Sequence, residues 1–167
     1  YSTDGGSTYT TIVSPASFDT TNLDGGGNDK LRVVDTDNVG NQDTITSSVT
    51  ADNTAPTVTE SASFPSGEIT GTVDVTTYFD ISNDDGGSTT YKYSTDGGST
   101  YTTIGSPGSF DTTNLDGGGN DTLKVVDTDN VGNQGTITSS VTADNTAPSV
   151  SKSGSFPSGE ITGTVDV

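Results

Sequence analysis

The chain has 167 residues, and its 23 acidic side chains against 5 basic ones give a formal net charge of -18. Without cysteine or histidine it cannot form a disulfide, a zinc-thiolate site, or a catalytic group that uses a thiolate or an imidazole. Five basic residues are too few to neutralise a run of phosphates, so we do not expect nucleic-acid binding. An anionic membrane surface would repel the acidic chain, so we do not expect membrane insertion either.

Twenty of the acidic residues are aspartates, and the chain also holds 22 glycines. Aspartate and glycine favour turns, whereas glutamate, which occurs only three times, favours helices. The hydrophobic content of 26% lies close to that of disordered chains, so an ordered fold has to follow from patterning. The composition predicts an all-β protein with almost no helix.

The sequence contains a long internal repeat: residues 1–75 realign with residues 93–167 at an offset of 92 residues. Of the 75 aligned positions, 66 are identical. The nine differences are Val13/Gly105, Ala16/Gly108, Lys30/Thr122, Arg32/Lys124, Asp43/Gly135, Thr57/Ser149, Thr59/Ser151, Glu60/Lys152 and Ala62/Gly154. This period is too long for a solenoid repeat and matches one small domain.

The repeated "ADNTAP" at 51–56 and 143–148 reads as a short, stiff connector, because proline favours extended backbone before it. We therefore expect residues 1–54 to be the C-terminal part of one repeat, 55–146 to be a complete repeat, and 147–167 to supply the first strands of the next. On this interpretation the chain is an excerpt from a longer array.

Six or seven strands are predicted in the complete repeat, in chain order. "TVTESASF" (57–64) is a strand, and "EITGTVDVTTYFDIS" (68–82) alternates apolar and polar residues as a single half-buried strand does. "TYKYSTDGGSTYTTI" (90–104) predicts a β-hairpin, and "GSFDTTNL" (108–115) holds a short strand. "TLKVVD" and "TITSSVTAD" are two further strands joined by a loop. This spacing indicates an immunoglobulin-like β-sandwich, with a barrel as the alternative.

The stretch "VVDTDNVGNQ" (33–42 and 125–134), with "TSSVTADNTAPTV" after its first copy, resembles the end of a bacterial immunoglobulin-like repeat. The resemblance implies tandem immunoglobulin-like β-sandwich domains of about seven strands each, in the secreted or cell-surface stalks of large adhesins. It also implies calcium at the junctions between domains.

Calcium takes six to eight oxygen ligands, and this stretch and the connector are rich in them. The candidate ligands are Asp35, Asp37, Asn38, Asn41, Asp52, Asp127, Asp129, Asn130, Asn133 and Asp144. The stretch is not an EF-hand, because Val39 occupies a ligand position and Thr46 replaces the bidentate glutamate. A site would have to be completed from the junction, where we expect each loop to meet the "ADNTAP" connector that follows it. The alternative interpretation is an Asx-type turn before a strand.

Three other motifs are interpreted as structural. "LDGGGND" (23–29 and 115–121) predicts a glycine-rich hairpin loop rather than a calcium-binding β-helix repeat. "STDGGSTY" (2–9 and 94–101) resembles the Asp-box hairpin of sialidases, in which the aspartate, here Asp4 or Asp96, bonds the turn. "SNDDGGS", with Asp84 and Asp85, is expected to be a solvated loop, with a second cation site as the alternative.

We therefore expect a structural extracellular protein rather than an enzyme: a stalk or filament that self-associates into an array and is stiffened by calcium. The alternative is an adhesive module whose exposed tyrosine and threonine faces bind glycans or a partner protein.

Overall fold

The computed structural model describes residues 1–14, 17–83 and 85–152, together with Gly154, Gly159 and Thr162. The fold is all-β, and the described residues contain no α-helix. The strands are β1 (Lys30–Thr36), β2 (Gln42–Ser48), β3 (Thr57–Glu60), β4 (Thr72–Val73), β5 (Phe79–Ser82), β6 (Ser88–Ser94), β7 (Thr102–Thr103), β8 (Phe110–Asp111), β9 (Thr122–Thr128) and β10 (Gln134–Ser140). Short 3-10 turns lie at Thr20–Asn22, Val75–Tyr78, Pro107–Ser109 and Thr112–Asn114.

The largest sheet has four antiparallel strands in the order β10-β9-β6-β7. Three further pairs, β1 with β2, β3 with β5 and β4 with β8, are also antiparallel. The predicted hairpin forms from β6 and β7, and the two predicted strands around the second "DTDNVGNQ" loop form β9 and β10. These predictions are confirmed.

The hydrophobic core lies within residues 58–143. It contains residues of the four-stranded sheet, such as Leu123 and Val125, and residues of the β3–β5 pair, such as Val58 and Phe79. Val125 is completely buried. We call residues 55–146 the middle segment and residues 1–54 the first segment.

The prediction of one continuous strand over residues 68–82 is wrong. Asp74 caps a 3-10 turn at Val75–Tyr78, its carboxylate accepting a 3.0 Å hydrogen bond from the Thr76 N–H, and this turn separates β4 from β5. The predicted burial pattern nevertheless holds, because Val75 and Phe79 are buried while Asp74 and Thr76 are exposed. An aspartate that bonds its own backbone therefore interrupts the strand without changing which residues enter the core.

Identical sequences have different surroundings in the two copies. Val33 and Ile45 of the β1–β2 hairpin are 64% and 68% exposed, whereas the equivalent Val125 and Ile137 are buried and half-buried. In the middle segment, β6 pairs with the free edge of β9 and β3 packs on β10. Among the described strands, β1 pairs only with β2, apart from a bridge to Ser2. The apolar face of β1 and β2 is therefore exposed in this sequence, whose first residue aligns with Tyr93 near the end of β6.

Residues 147–167, predicted to begin the next repeat, fall largely outside the described residues, and Asp84 lies outside them too. The division of the chain into three repeat parts stays a prediction.

Candidate site at the segment junction

The loop between β9 and β10 is held by one carboxylate. Asp129 Oδ1 accepts hydrogen bonds from the backbone N–H groups of Val131, Gly132 and Asn133 at 2.7 to 2.9 Å. Its Oδ2 accepts a 2.7 Å bond from the Asn133 side-chain amide. Gly132 has φ +102°, a left-handed conformation that glycine adopts without strain. The sequence folds this way because aspartate supplies the hydrogen-bond acceptor, glycine the left-handed backbone and asparagine the side-chain donor of the tight loop.

The same loop contacts the linker that precedes the middle segment. Asn133 Nδ2 donates a second hydrogen bond, 3.1 Å long, to the backbone carbonyl of Asp52. Further along that linker, Pro56 is buried, and its carbonyl oxygen lies only 2.0 Å from where a Cβ on Gly135 would be. We call Asp52, Pro56, Asp127, Asp129 and Asn133 the junction. The Asn133 bond connects this loop to Asp52 of the first segment, and the Pro56 contact fixes the end of the linker on the middle segment.

Asp127 is the least satisfied polar residue of the junction. It lies on β9 opposite Gly135 of β10 and Thr89 of β6, and it is completely buried. Its Oδ1 accepts a 2.7 Å hydrogen bond from the Thr89 hydroxyl, but its Oδ2 has no hydrogen-bond partner. A buried carboxylate oxygen without a partner is costly, because desolvation is not offset by a bond. This oxygen is therefore a position at which a cation would be stabilising.

Electrostatics at Asp129 favour the charged carboxylate. Burial raises the pKa of Asp129, but the hydrogen bonds from the Asn133 side chain and from the loop N–H groups outweigh it and bring the pKa below its usual value. Asp37, its equivalent in the first segment, also has a lowered pKa, caused mainly by bonds from the Asn41 side chain and N–H.

The first copy of the loop has most of the same hydrogen bonds but is exposed to solvent. Asp37 Oδ1 bonds the N–H groups of Val39 and Asn41, and Oδ2 bonds the Asn41 amide. Both residues are exposed, as is Asp35, which lies opposite Asp43 on the neighbouring strand. Two like charges directly opposite on a sheet repel each other, whereas Asp127 faces a glycine instead.

The side chains of the other predicted calcium ligands do not share hydrogen bonds with Asp127, Asp129 or Asn133. Asn38 and Asn130 are exposed at the loop tips. The side chains of Asp52 and Asp144 each bond the N–H two residues later, as in an Asx turn, to Thr54 and Thr146 respectively. The structure thus brings Asp129 and Asn133 together with the linker that precedes their segment. We expected each loop to meet the linker that follows it.

The donor set fits calcium in part. Within the described residues, no group of three or more acidic side chains is placed to share an ion. The oxygens of Asp37 and Asp129 are surrounded by N–H donors, as in the Asx-turn interpretation. The buried Oδ2 of Asp127, which has no hydrogen-bond partner, supplies one oxygen of the six to eight that calcium takes.

Two of the other motifs form turns that are closed by an aspartate. The prediction that "LDGGGND" is a hairpin loop is wrong, because β8 before it pairs with β4 whereas β9 after it pairs with β6 and β10. The Asp96 carboxylate accepts hydrogen bonds from the Ser94 hydroxyl at 2.6 Å and from the Thr100 N–H at 2.9 Å. These bonds close the "STDGGSTY" turn and hold the pKa of Asp96 well below its usual range. The "LDGGGND" loop is closed by its last residue: buried Asp121 accepts bonds from the Asp116 and Gly117 N–H groups, and Asp29 does the same in the first copy.

Sequence reasoning missed two residues that contact the junction, Thr89 and Gly135. Thr89 is distant in sequence, and no local pattern indicates it. Gly135 carried a signal, because it is one of the nine positions at which the two copies differ.

Comparison with protein-family models, with curated protein sequences and with solved structures finds no match for this chain. Among the described residues, no helix has the length and apolar character needed to cross a membrane.

Proposed function

We propose that the chain is part of a tandem array of immunoglobulin-like β-sandwich modules that serves as an extracellular stalk or fibre. Its function would be mechanical: length and stiffness are supplied by near-identical modules in series. The secreted or cell-surface location rests on the composition and on the resemblance of the junction motifs.

The observation that carries the proposal is the hydrogen bond from Asn133 to the carbonyl of Asp52, across two copies of a 92-residue repeat. Together with the burial of Pro56 against Gly135, it holds the linker on the module that follows. A linker fixed in this way transmits orientation from one module to the next, which a stalk requires and a flexible tether does not supply.

Stiffness can be measured directly, because the chain has no cysteine and accepts a pair of spin labels. Thr46 and Thr138 are exposed and occupy equivalent positions in the two segments, so labelled cysteines there report how the segments move relative to each other. We expect a narrow distance distribution that broadens in Asn133→Ala. The matched control is Asn41→Ala, which removes the same bond within the loop but no bond to a linker. Equal distributions in all three proteins would contradict the proposal.

Calcium at the junction is a second, separable part of the proposal. Asp127 would supply the charged ligand, and a bound ion would neutralise a buried carboxylate. Calcium at 100 times its Kd would stabilise the fold by about 2.7 kcal/mol. The Tm should therefore rise with calcium in the wild-type chain and in Asp35→Asn, which alters the exposed equivalent, but not in Asp127→Asn.

The sign of the Asp127→Asn effect distinguishes the outcomes. With a bound ion, the substitution removes a ligand and lowers the Tm in calcium. Without one, it removes an uncompensated buried charge and raises the Tm or leaves it unchanged. Coincident melts of the wild-type chain in calcium and in chelator would eliminate the ion while leaving the stalk proposal intact.

A further inference from the structure

The outer face of the four-stranded sheet is basic, in a chain that is otherwise strongly acidic. The middle segment has two basic residues, Lys92 on β6 and Lys124 on β9, and they lie directly opposite each other. Thr103 of β7 and Thr138 of β10 extend this row across all four strands. The only acidic residue in these strands is Asp127, which is completely buried. We call Thr103, Lys92, Lys124 and Thr138 the basic face.

The two lysines are placed where their charges repel. Like charges directly opposite each other on neighbouring strands destabilise a sheet. Within the described part of the chain, neither ammonium group has a carboxylate partner, and Lys124 lies instead 5.0 Å from the centre of the Tyr101 ring. The aligned residue of the first segment is Arg32, which lies 3.6 Å from the centre of the Tyr9 ring. A carboxylate supplied from outside the sheet would relieve the repulsion between the lysines.

The strand pairs β3–β5 and β4–β8 present the opposite charge. Asp80 is exposed opposite Thr59, and Asp111 is exposed opposite Thr72. These four strands contain no lysine or arginine. We call Thr59, Thr72, Asp80 and Asp111 the acidic face. The buried residues of these strands enter the same core as those of the four-stranded sheet, so the acidic face points away from the basic face of its own segment.

We propose that the basic face binds the acidic face of a second molecule of this chain, so that chains associate side by side. Both faces are built from exposed strand positions, and the charges that one presents are the complement of those on the other. Two different surfaces meet in this contact, so each bound molecule keeps one face for a further molecule. The inference goes beyond the stalk proposal, which concerns the linker within one chain and holds with or without lateral association.

The large net charge of -18 gives this contact a distinctive salt dependence. In low salt, two such chains repel each other as whole molecules. At about 0.15 M salt, charges farther apart than about 8 Å are largely screened, whereas groups in contact are screened less. At about 1 M salt the contacts are weakened as well. Association should therefore be strongest at intermediate ionic strength.

Sedimentation velocity of the whole chain, in chelator so that calcium plays no part, measures this association. For the wild-type chain, the mean mass should rise with protein concentration. Lys92→Glu/Lys124→Glu should weaken association at least about tenfold, because like charges would then meet across the contact. The neutral variant Lys92→Gln/Lys124→Gln, which adds no repulsion within the sheet, should weaken it too. Circular dichroism and the urea midpoint establish that each variant is folded.

A reversal of the acidic face separates this contact from a general effect of net charge. Thr59→Lys/Asp80→Lys lowers the net negative charge of the chain, so general repulsion alone predicts tighter association. The proposal predicts weaker association, because these lysines would meet Lys92 and Lys124 of the next molecule. An equimolar mixture of this variant with Lys92→Glu/Lys124→Glu should associate about as strongly as the wild-type chain, since lysines again face carboxylates.

Three results would overturn the proposal: a wild-type chain that stays single at every salt concentration, tighter association of Thr59→Lys/Asp80→Lys than of the wild type, or a mixture that associates no better than its components. A wild-type chain that stays single but binds polygalacturonate through Lys92 and Lys124 would identify an acidic glycan as the occupant and would overturn it as well. None of these results bears on the stalk proposal, which the spin-label distances test within one chain.

Discussion

Val125→Ala and Val33→Ala make the same chemical change in the same ten-residue sequence, and they should differ several-fold in effect. Val125 is fully buried in the core, and Val33 is 64% exposed. Each methyl group removed from a core costs roughly 0.8 kcal/mol in transfer free energy, and the cavity left behind adds to this. Val125→Ala should therefore lower the free energy of unfolding by about 2 to 3 kcal/mol. Val33→Ala should lower it by about 0.5 kcal/mol, because most of its side chain is already in water.

Urea denaturation followed by circular dichroism gives the free energies, and hydrogen exchange with mass spectrometry shows which segment is affected. For a unit of this size, the Val125→Ala loss corresponds to a Tm shift of about 10 °C or more. Equal losses from the two substitutions would refute the reasoning, since they would mean that the first segment has a covered core like that of the middle segment.

Two further predictions concern the middle segment. Gly87→Ala should destabilise it by about 1 to 3 kcal/mol, because the new Cβ would lie 1.7 Å from the Thr128 carbonyl oxygen. Gly105→Ala, which adds a Cβ in open space, should change the urea midpoint little. A small effect of Gly87→Ala would contradict the close contact with Thr128. Asp96→Asn should lower the Tm at pH 7. Because folding lowers the pKa of Asp96, its contribution is complete above the unfolded-state value of about 3.9 and is lost as the pH falls further, so the Tm difference should shrink below about pH 4. A difference that stays constant down to about pH 2 would show that charge is not involved.

Turns could be predicted from the sequence wherever a side chain hydrogen-bonds to residues within a few positions of it. The turns closed by Asp96 and Asp129 follow from aspartate, glycine and asparagine at fixed spacing, and the structure has these bonds. The alternation over residues 68–82 likewise identified Val75 and Phe79 as core residues, although the strand itself is interrupted. Such features depend only on a few adjacent residues.

What could not be predicted depends on residues far away in the chain. Asp35 and Asp127 lie in identical ten-residue sequences, yet one is exposed and the other is completely buried. Their difference is set by β3 and β6, which cover one copy and not the other. The same reasoning explains why the loop was expected to meet the linker after it, when Asn133 bonds the linker before it. A local pattern carries no information on which element lies across from it.

The core of the middle segment fits within a single 92-residue period, and this has a genetic consequence. Unequal crossing-over between identical stretches of neighbouring copies inserts or deletes one whole period, wherever the exchange occurs. If the chain belongs to a tandem array, as proposed, each resulting junction continues the same sequence, and an interior module would still receive its own leading strand and the core residues between Val58 and Ala143. The length of such an array could then change between generations without a misfolded hybrid.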